Sequence, residues 1–324
     1  MQKSAFLFTG QGSQAVGMMS GFIGSGPAEH APPAEHGKIV RATFAEASAV
    51  LGYDLLDLVQ NGPEERLGLT EITQPALLAA SVATWRAWRS IGGADPDFMA
   101  GHSLGEYSAL VAAGAIAFTD AVALVAERGR CMQAATPPGA GGMAAVLGLD
   151  DAALEQACAD AAQESGQVVS CANYNSPGQV VIAGDRAAVD RACELAAAAG
   201  AKRAIPLAVS VPSHCALMRP AAERLQEIIA GVALSAPRVP VIHNVDVQAH
   251  READEIREAL ARQLWQPVRW SATIEKLVGE GVVRFVECGP GKVLSGLNRR
   301  IARDATTLTL DGSQAVIETR ANWS

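Results

Sequence analysis

A serine between two glycines opens the chemistry of this chain. Gly101-His102-Ser103-Leu104-Gly105 has the form G-x-S-x-G. A short apolar strand candidate, Asp97–Ala100, precedes it, and a helical run, EYSALVAAG, follows it. A serine on a sharp strand-to-helix turn is a nucleophile elbow, because the turn exposes the hydroxyl and the helix N-terminus points at the reacting carbonyl. The Leu104 N–H is then placed to stabilise an oxyanion. Side chains two residues to either side would crowd the serine, which accounts for the two glycines. An ordinary glycine-rich turn with a capping serine would give the same letters, so the strand-turn-helix context carries the argument.

A serine hydroxyl needs a base at neutral pH. The chain has six histidines. His30 and His36 fall in a Gly/Pro stretch and His250 in a charged one, so these three are expected to be solvated. His102 belongs to the elbow, and its ring should point away from Ser103. His243 ends an apolar run, VPVIHN, and could be a satisfied core histidine. His214 lies in VSVPSHCALM, where a Ser-His pair flanked by apolar residues suggests a pocket. On residue types alone His214 has a modest edge over His243. Arg128 and Arg130 lie two residues apart in a helical run and face different directions, so only one of them can reach a site.

The elements that must position these groups can be read in outline. Ser4–Thr9 reads as a short buried strand closed by GQGSQ. Residues 20–38, rich in Gly, Pro, Ala and His, read as a loop. Helical spacing runs from Ile39 to Leu58. Pro75 opens a further helix, with Gly92 beyond its end. Thr119-Asp120 offers an N-cap for the helix AVALVAERGRCMQAA. The composition shifts at PPGAGG, 137–142. Beyond it come strand Met143–Leu149, helix Asp150–Glu164, strand Gln167–Asn175, strand Gln179–Gly184, helix Asp185–Ala199 and strand Ala201–Val209. That order, β-α-β-β-α-β, is ferredoxin-like, and its span of about 70 residues suits an inserted subdomain. The remainder reads as helix Arg219–Ile229, extended Val239–Asn244, helix Ala253–Leu264, strand Val282–Cys288 and helix Lys292–Ile301.

With 324 residues the chain is long enough for one large domain carrying a smaller one. The net charge of −8 argues against general nucleic-acid binding but not against a local basic pocket for an anionic substrate. Cysteines at 131, 158, 171, 193, 215 and 288 form no ligand-type spacing, so most are expected to be small buried hydrophobes. No metal site is indicated. No apolar run approaches the roughly 20 residues of a membrane span, and no secretory leader is evident, so a cytoplasmic protein is expected.

Seven segments match one family in order and spacing: FTGQGSQ (8–14), GHSLGEYSAL (101–110), ERGRCMQ (127–133), NYNSPGQVVIAG (173–184), VSVPSHCALMRPAA (209–222), RQLWQPVRW (262–270) and ECGPGKVLSGL (287–297). The chain resembles the malonyl-CoA:acyl carrier protein transacylases of fatty acid synthesis from residue 4 to about 301. Polyketide-synthase acyltransferase domains share several of these segments. The resemblance implies a large α/β-hydrolase-like catalytic domain, 1–136 and 210–324, with a small ferredoxin-like subdomain, 137–209. It implies that Ser103 carries the acyl group and that His214 is its base. Gln263 would orient His214 through its backbone carbonyl. Gln11 would join the Leu104 N–H in the oxyanion hole, and Arg128 would hold the free carboxylate of malonate. Chemistry supports the last role independently, since a dicarboxylic acyl group in a dry pocket needs its free carboxylate paired, and arginine offers the planar fork. No cofactor is implied, malonyl-CoA and an acyl carrier protein are the implied partners, and a monomer is expected. Docking of an acidic carrier would use a local basic surface, either Lys292, Arg299, Arg300 and Arg303 or Lys202 and Arg203. The stretch 20–38 is about ten residues longer than the family's usual connection and reads as a tolerated insertion. A polyketide or methylmalonyl transferase, a serine hydrolase and a non-catalytic acyl-CoA sensor are the competing readings.

Overall fold

The computed structural model describes residues 2–24, 34–207 and 211–323. Strand β1, Lys3–Phe8, is apolar on both faces (SAFLF), as a strand inside a parallel sheet must be. It lies at the centre of a five-stranded sheet with β2 (Phe98–Gly101), β7 (Val241–Ile242), β8 (Val282–Cys288) and β9 (Thr306–Thr309). The order is β7-β2-β1-β8-β9, and every pairing is parallel. Phe6 and Phe8 face a core with Trp85 and Trp88, whereas Ala5 and Leu7 face a second core with Trp270 and Phe285. Among the described residues no helix is long and apolar enough to cross a membrane.

A second sheet is built from β3 (Gly141–Leu147), β4 (Val169–Ser176), β5 (Gln179–Asp185) and β6 (Arg203–Pro206). It is antiparallel, in the order β4-β5-β3-β6, with helices Asp151–Ser165 and Arg186–Ala198 on one face. The expected β-α-β-β-α-β order is therefore present. Asp150 caps the first of these helices, its side chain accepting the Ala152 N–H at 3.0 Å. This sheet has an apolar core of its own. Its β4 edge is tied to the larger part by two backbone bonds, Tyr174 N–H to the Val268 carbonyl and Val268 N–H to the Ala172 carbonyl, each 2.9 Å.

Several elements differ from their sequence reading, each for a local reason. The helix expected over 39–58 is two helices, Ala34–Leu51 and Leu55–Asn61. Gly52 takes a positive φ of 78° between them, and Asp54 caps the second by accepting the Asp57 N–H. Pro75 does not open its helix, which runs Thr70–Ser90 with the proline inside. Burial of nearly the whole segment Ile72–Trp88 outweighs the lost backbone bond. Thr119 and Asp120 do not cap the next helix either. It begins at Phe118, whose ring is buried, and Asp120 sits in the positive first turn instead. The loop expected over 20–38 contains helix Ser20–Ile23 and the start of helix Ala34–Leu51, while 25–33 lie outside the described residues. The strand expected over 201–209 is confined to Arg203–Pro206, with 208–210 also outside them. Helices Trp270–Gly279 and Ser313–Ala321 and strand β9 were not anticipated. Four cysteines are buried as expected, whereas Cys131 and Cys193 are partly exposed.

Candidate active site

Ser103 stands where β2 turns into helix Gly105–Ala112. Its backbone is left-handed, with φ at 51°, and so is that of His214, with φ at 63°. Neither is a glycine, so both conformations are strained and held by their surroundings. Ser103 N–H donates to Asn244 Oδ1 at 2.7 Å, and Asn244 Nδ2 donates to the Gly101 carbonyl at 2.7 Å. One asparagine thus pins both sides of the turn. The two glycines are required, but not to relieve the serine. A Cβ on Gly101 would lie 1.9 Å from the Gly105 carbonyl carbon, and one on Gly105 would lie 2.0 Å from the Phe8 oxygen. They let the helix close down on β1 and β2.

Ser103 Oγ lies 2.8 Å from His214 Nε2. His214 N–H donates to the Leu264 carbonyl, and Nδ1 lies 2.6 Å from the Gln263 carbonyl oxygen. That oxygen can only accept, so Nδ1 carries the proton and Nε2 presents its lone pair to the serine. Burial, and then the nearby Arg128 charge, lower the His214 pKa from 6.5 to about 3. The ring is neutral at neutral pH and available as a base.

Arg128 is almost fully buried. Its Nη1 donates to Gln74 Oε1 at 2.8 Å, and its Nη2 donates to Gln263 Oε1 at 2.9 Å and to Ser103 Oγ at 3.2 Å. Its guanidinium lies 5.5 Å from the Tyr107 ring centre. Burial lowers its pKa, and it pushes that of Tyr107 up to about 12. Among the described residues Arg128 makes no ion pair, and its Nε is buried without an acceptor. Arg130, two residues on, is exposed and pairs with Glu71 and Glu127.

Gln11 is exposed, its Nε2 donating to Thr70 Oγ1 at 3.4 Å. Together with His102, Ser103, Leu104, Arg128 and His214 it lines a cavity of about 440 Å³ between the two sheets. Asn173, Asn175, Gln179 and Leu207 close the cavity from the antiparallel side, and Val293 and Leu297 close it from the helix Val293–Ile301. The His102 ring turns to Asn175, 2.8 Å from Nε2 to Oδ1, and lies against Trp270.

Of the other histidines, His243 agrees with its sequence reading, and two of the three expected to be solvated do not agree with theirs. His243 is a core histidine, 2.7 Å from buried Glu106. His36 is not solvated but buried in helix Ala34–Leu51 against Phe22, and burial lowers its pKa. His250 is only partly exposed and pairs with Asp246 at 3.0 Å. His30 lies outside the described residues. Lys292, Arg299, Arg300, Arg303, Lys202 and Arg203 are all exposed. Lys292 pairs with Asp311 at 2.8 Å, and Arg300 donates to Gln179 at 2.7 Å.

Sequence reasoning missed Asn244, Glu106 and Gln74. Glu106 carried a usable signal: it is a charged residue in the first turn of a helix otherwise made of apolar and small residues.

The chain is an acyltransferase: residues 5–316 match the family described as acyl transferase domain. A malonyl CoA-acyl carrier protein transacylase of Salmonella typhimurium is 55% identical over 316 residues, 98% of each chain. The structure of the malonyl CoA-acyl carrier protein transacylase of Coxiella burnetii superposes with a TM-score of 0.93 at 49% identity, covering 99% of this chain and 97% of that one. A malonyl-transacylase in complex with its type II polyketide-synthase acyl-carrier protein also superposes at 0.93, with 51% identity over 99% of each. The chain belongs to the malonyl-CoA:acyl carrier protein transacylase family.

Proposed function

We propose that the protein moves a malonyl group from malonyl-CoA to the phosphopantetheine thiol of an acyl carrier protein, by way of a malonyl ester on Ser103. It would supply malonyl thioesters for fatty acid synthesis in the cytoplasm. The observation that carries this is Arg128, a buried cation whose hydrogen-bond partners are all neutral, two amide oxygens and the serine hydroxyl at 3.2 Å. An unpaired buried charge costs several kcal/mol, and a bound carboxylate offsets that cost. An acyl group ending in a carboxylate, with its thioester at Ser103, fits the charge.

His214 Nε2 takes the hydroxyl proton as Ser103 Oγ attacks the thioester carbon. The oxyanion is held by the Leu104 N–H and by a Gln11 donor. The C–S bond breaks, and the departing thiolate takes the proton back from His214. In the second half the carrier thiol gives its proton to His214 and attacks the ester carbon. Ser103 Oγ leaves and recovers the proton. A backbone carbonyl, that of Gln263, replaces the usual triad carboxylate in stabilising the imidazolium. Neither half changes an oxidation state, and the scheme uses no metal or redox cofactor.

Within this reading residues 137–209 form a subdomain inserted into a catalytic domain of 1–136 and 210–324, which the separate sheet and separate apolar core support. The catalytic domain is α/β-hydrolase-like in its parallel sheet and its strand–Ser103–helix elbow. The exposed basic residues around Arg299 and Lys202 are the candidates for docking an acidic carrier.

The test is the intact mass of the protein after brief exposure to malonyl-CoA, with peptide mapping. A malonyl adduct on Ser103, discharged by holo acyl carrier protein, is the expected result. Free malonate without transfer would move the protein to the hydrolases. Arg128→Ala should lower malonyl transfer by about 100-fold or more and leave acetyl transfer nearly unchanged. Equal losses would reject Arg128 as the carboxylate reader.

A further inference from the structure

Beneath the elbow lies a charge that the proposed reaction does not use. Glu106, three residues after Ser103, is completely buried. A carboxylate is tolerated there only if its oxygens are filled. Oε2 accepts the Asn244 N–H at 2.9 Å and Gln263 Nε2 at 2.8 Å, and Oε1 lies 2.7 Å from His243 Nδ1. Glu106 does not touch Arg128, because the Gln263 amide stands between them.

That amide fits only one way round. Its Nε2 faces two acceptors, the Glu106 carboxylate and the Ser103 carbonyl at 3.0 Å. Reversing it would set oxygen against oxygen on one side and NH2 against the guanidinium on the other. Held as it is, Oε1 accepts from Arg128 Nη2 at 2.9 Å. The Ser103 carbonyl already accepts the Glu106 N–H at 3.1 Å, so the carboxylate is the stronger anchor.

We infer that Glu106 is a positioning residue for acyl selectivity: acting through Gln263, it fixes the Arg128 guanidinium where an acyl carboxylate would meet it. The inference rests on Arg128 reading that carboxylate. Gln74 holds the other arm of the fork, so loss of the Gln263 contact lets the guanidinium turn rather than leave. A misplacement of about 1 Å can cost about 100-fold in rate. Only acyl groups with a free carboxylate would feel it.

Glu106→Met removes the acceptor. Glu106→Gln keeps one oxygen for the two N–H donors and turns its NH2 to His243, whose Nδ1 can accept in the other tautomer. Gln263→Met cuts the chain one link further on and keeps the backbone carbonyl that holds His214. Steady-state kcat and KM for malonyl-CoA and for acetyl-CoA are measured on each, with melting temperatures. Glu106→Met should lower the malonyl-to-acetyl ratio of kcat/KM by about 30- to 100-fold, with acetyl transfer within about threefold of the parent, and Gln263→Met should lower the same ratio by a similar factor. Glu106→Gln should restore most of the ratio. Equal loss for both acyl groups, or an unchanged ratio, overturns the inference. If Glu106→Met does not fold, Gln263→Met decides alone by the same criterion. Arg128→Ala is run beside them. If it too leaves the ratio unchanged, the reading of Arg128 has failed. If it alone lowers the ratio, only the role of Glu106 has failed.

Discussion

The two sheets of this protein obey different rules. The antiparallel sheet and its helices follow their sequence pattern closely and bury an apolar core of Ala, Val, Leu, Ile and Cys. The floor of the cavity breaks the pattern. Within it Glu106, Arg128, Gln74, Asn244 and Gln263 are buried, and Ser103 and His214 hold left-handed backbones. A region whose choices all agree is built for stability, and one that violates several at once is built for chemistry. In the second region the strained backbones and the buried Glu106 are held by a connected set of hydrogen bonds, which leaves Arg128 Nε and His243 Nε2 without partners among the described residues.

The contrast can be broken first at the elbow. Ser103→Ala and Ser103→Gly should each reduce acyl transfer by about 10⁴-fold or more, measured as thiol release from malonyl-CoA with carrier present. The glycine variant should be the more stable of the two by about 1 kcal/mol, because a glycine relieves the φ of 51° and an alanine does not. Equal melting temperatures would show that the elbow stores no strain.

The antiparallel core should respond the other way round. Leu154 is 1% exposed, in the middle of that cluster. Leu154→Ala should cost about 2–5 kcal/mol in denaturant unfolding and leave kcat/KM per folded molecule within about twofold. A large kinetic loss at unchanged stability would mean that the two regions are not separable.

The smallest effect is a displacement along the pH axis. Depression of the His214 pKa to about 3 keeps its base form as the pH falls through 6.5. A bound carboxylate beside Arg128 removes part of the depression, but burial, the larger cause, remains. The pH profile of kcat/KM for malonyl-CoA, which reports the free enzyme, should therefore stay flat from pH 7.5 to about 5.5. An acidic limb centred near 6.5 would indicate a solvated base.

Much of the regular fold was legible because it is local. The βαββαβ order, the strand-turn-helix at Ser103 and the continuous apolar run of β1 follow from neighbouring residues. The errors fall where a longer-range term decided. Burial of Phe118 outweighed the better cap at Asp120, and burial around Pro75 kept a proline inside a helix. Of the site residues, Ser103 was readable from its pentapeptide. His214 needed the family resemblance to separate it from His243, since both follow apolar runs. The partners of Arg128 were not readable at all. Gln74 lies 54 residues from it and Gln263 lies 135, and nothing in a short window marks an amide that will meet a guanidinium.

Arg128 also bears on folding. Its charge is buried against neutral oxygens, and the nearest carboxylate, that of Glu106, acts on it only across the Gln263 amide, so burial still lowers its pKa. A ligand that brings an anion to this guanidinium binds the folded chain and not the unfolded one, and at a hundred times its dissociation constant it adds about 2.7 kcal/mol to stability. If Arg128 reads an acyl carboxylate as proposed, part of the protein's thermal resistance would be lent by its substrate and would rise and fall with the supply of carboxylate-bearing acyl groups around it.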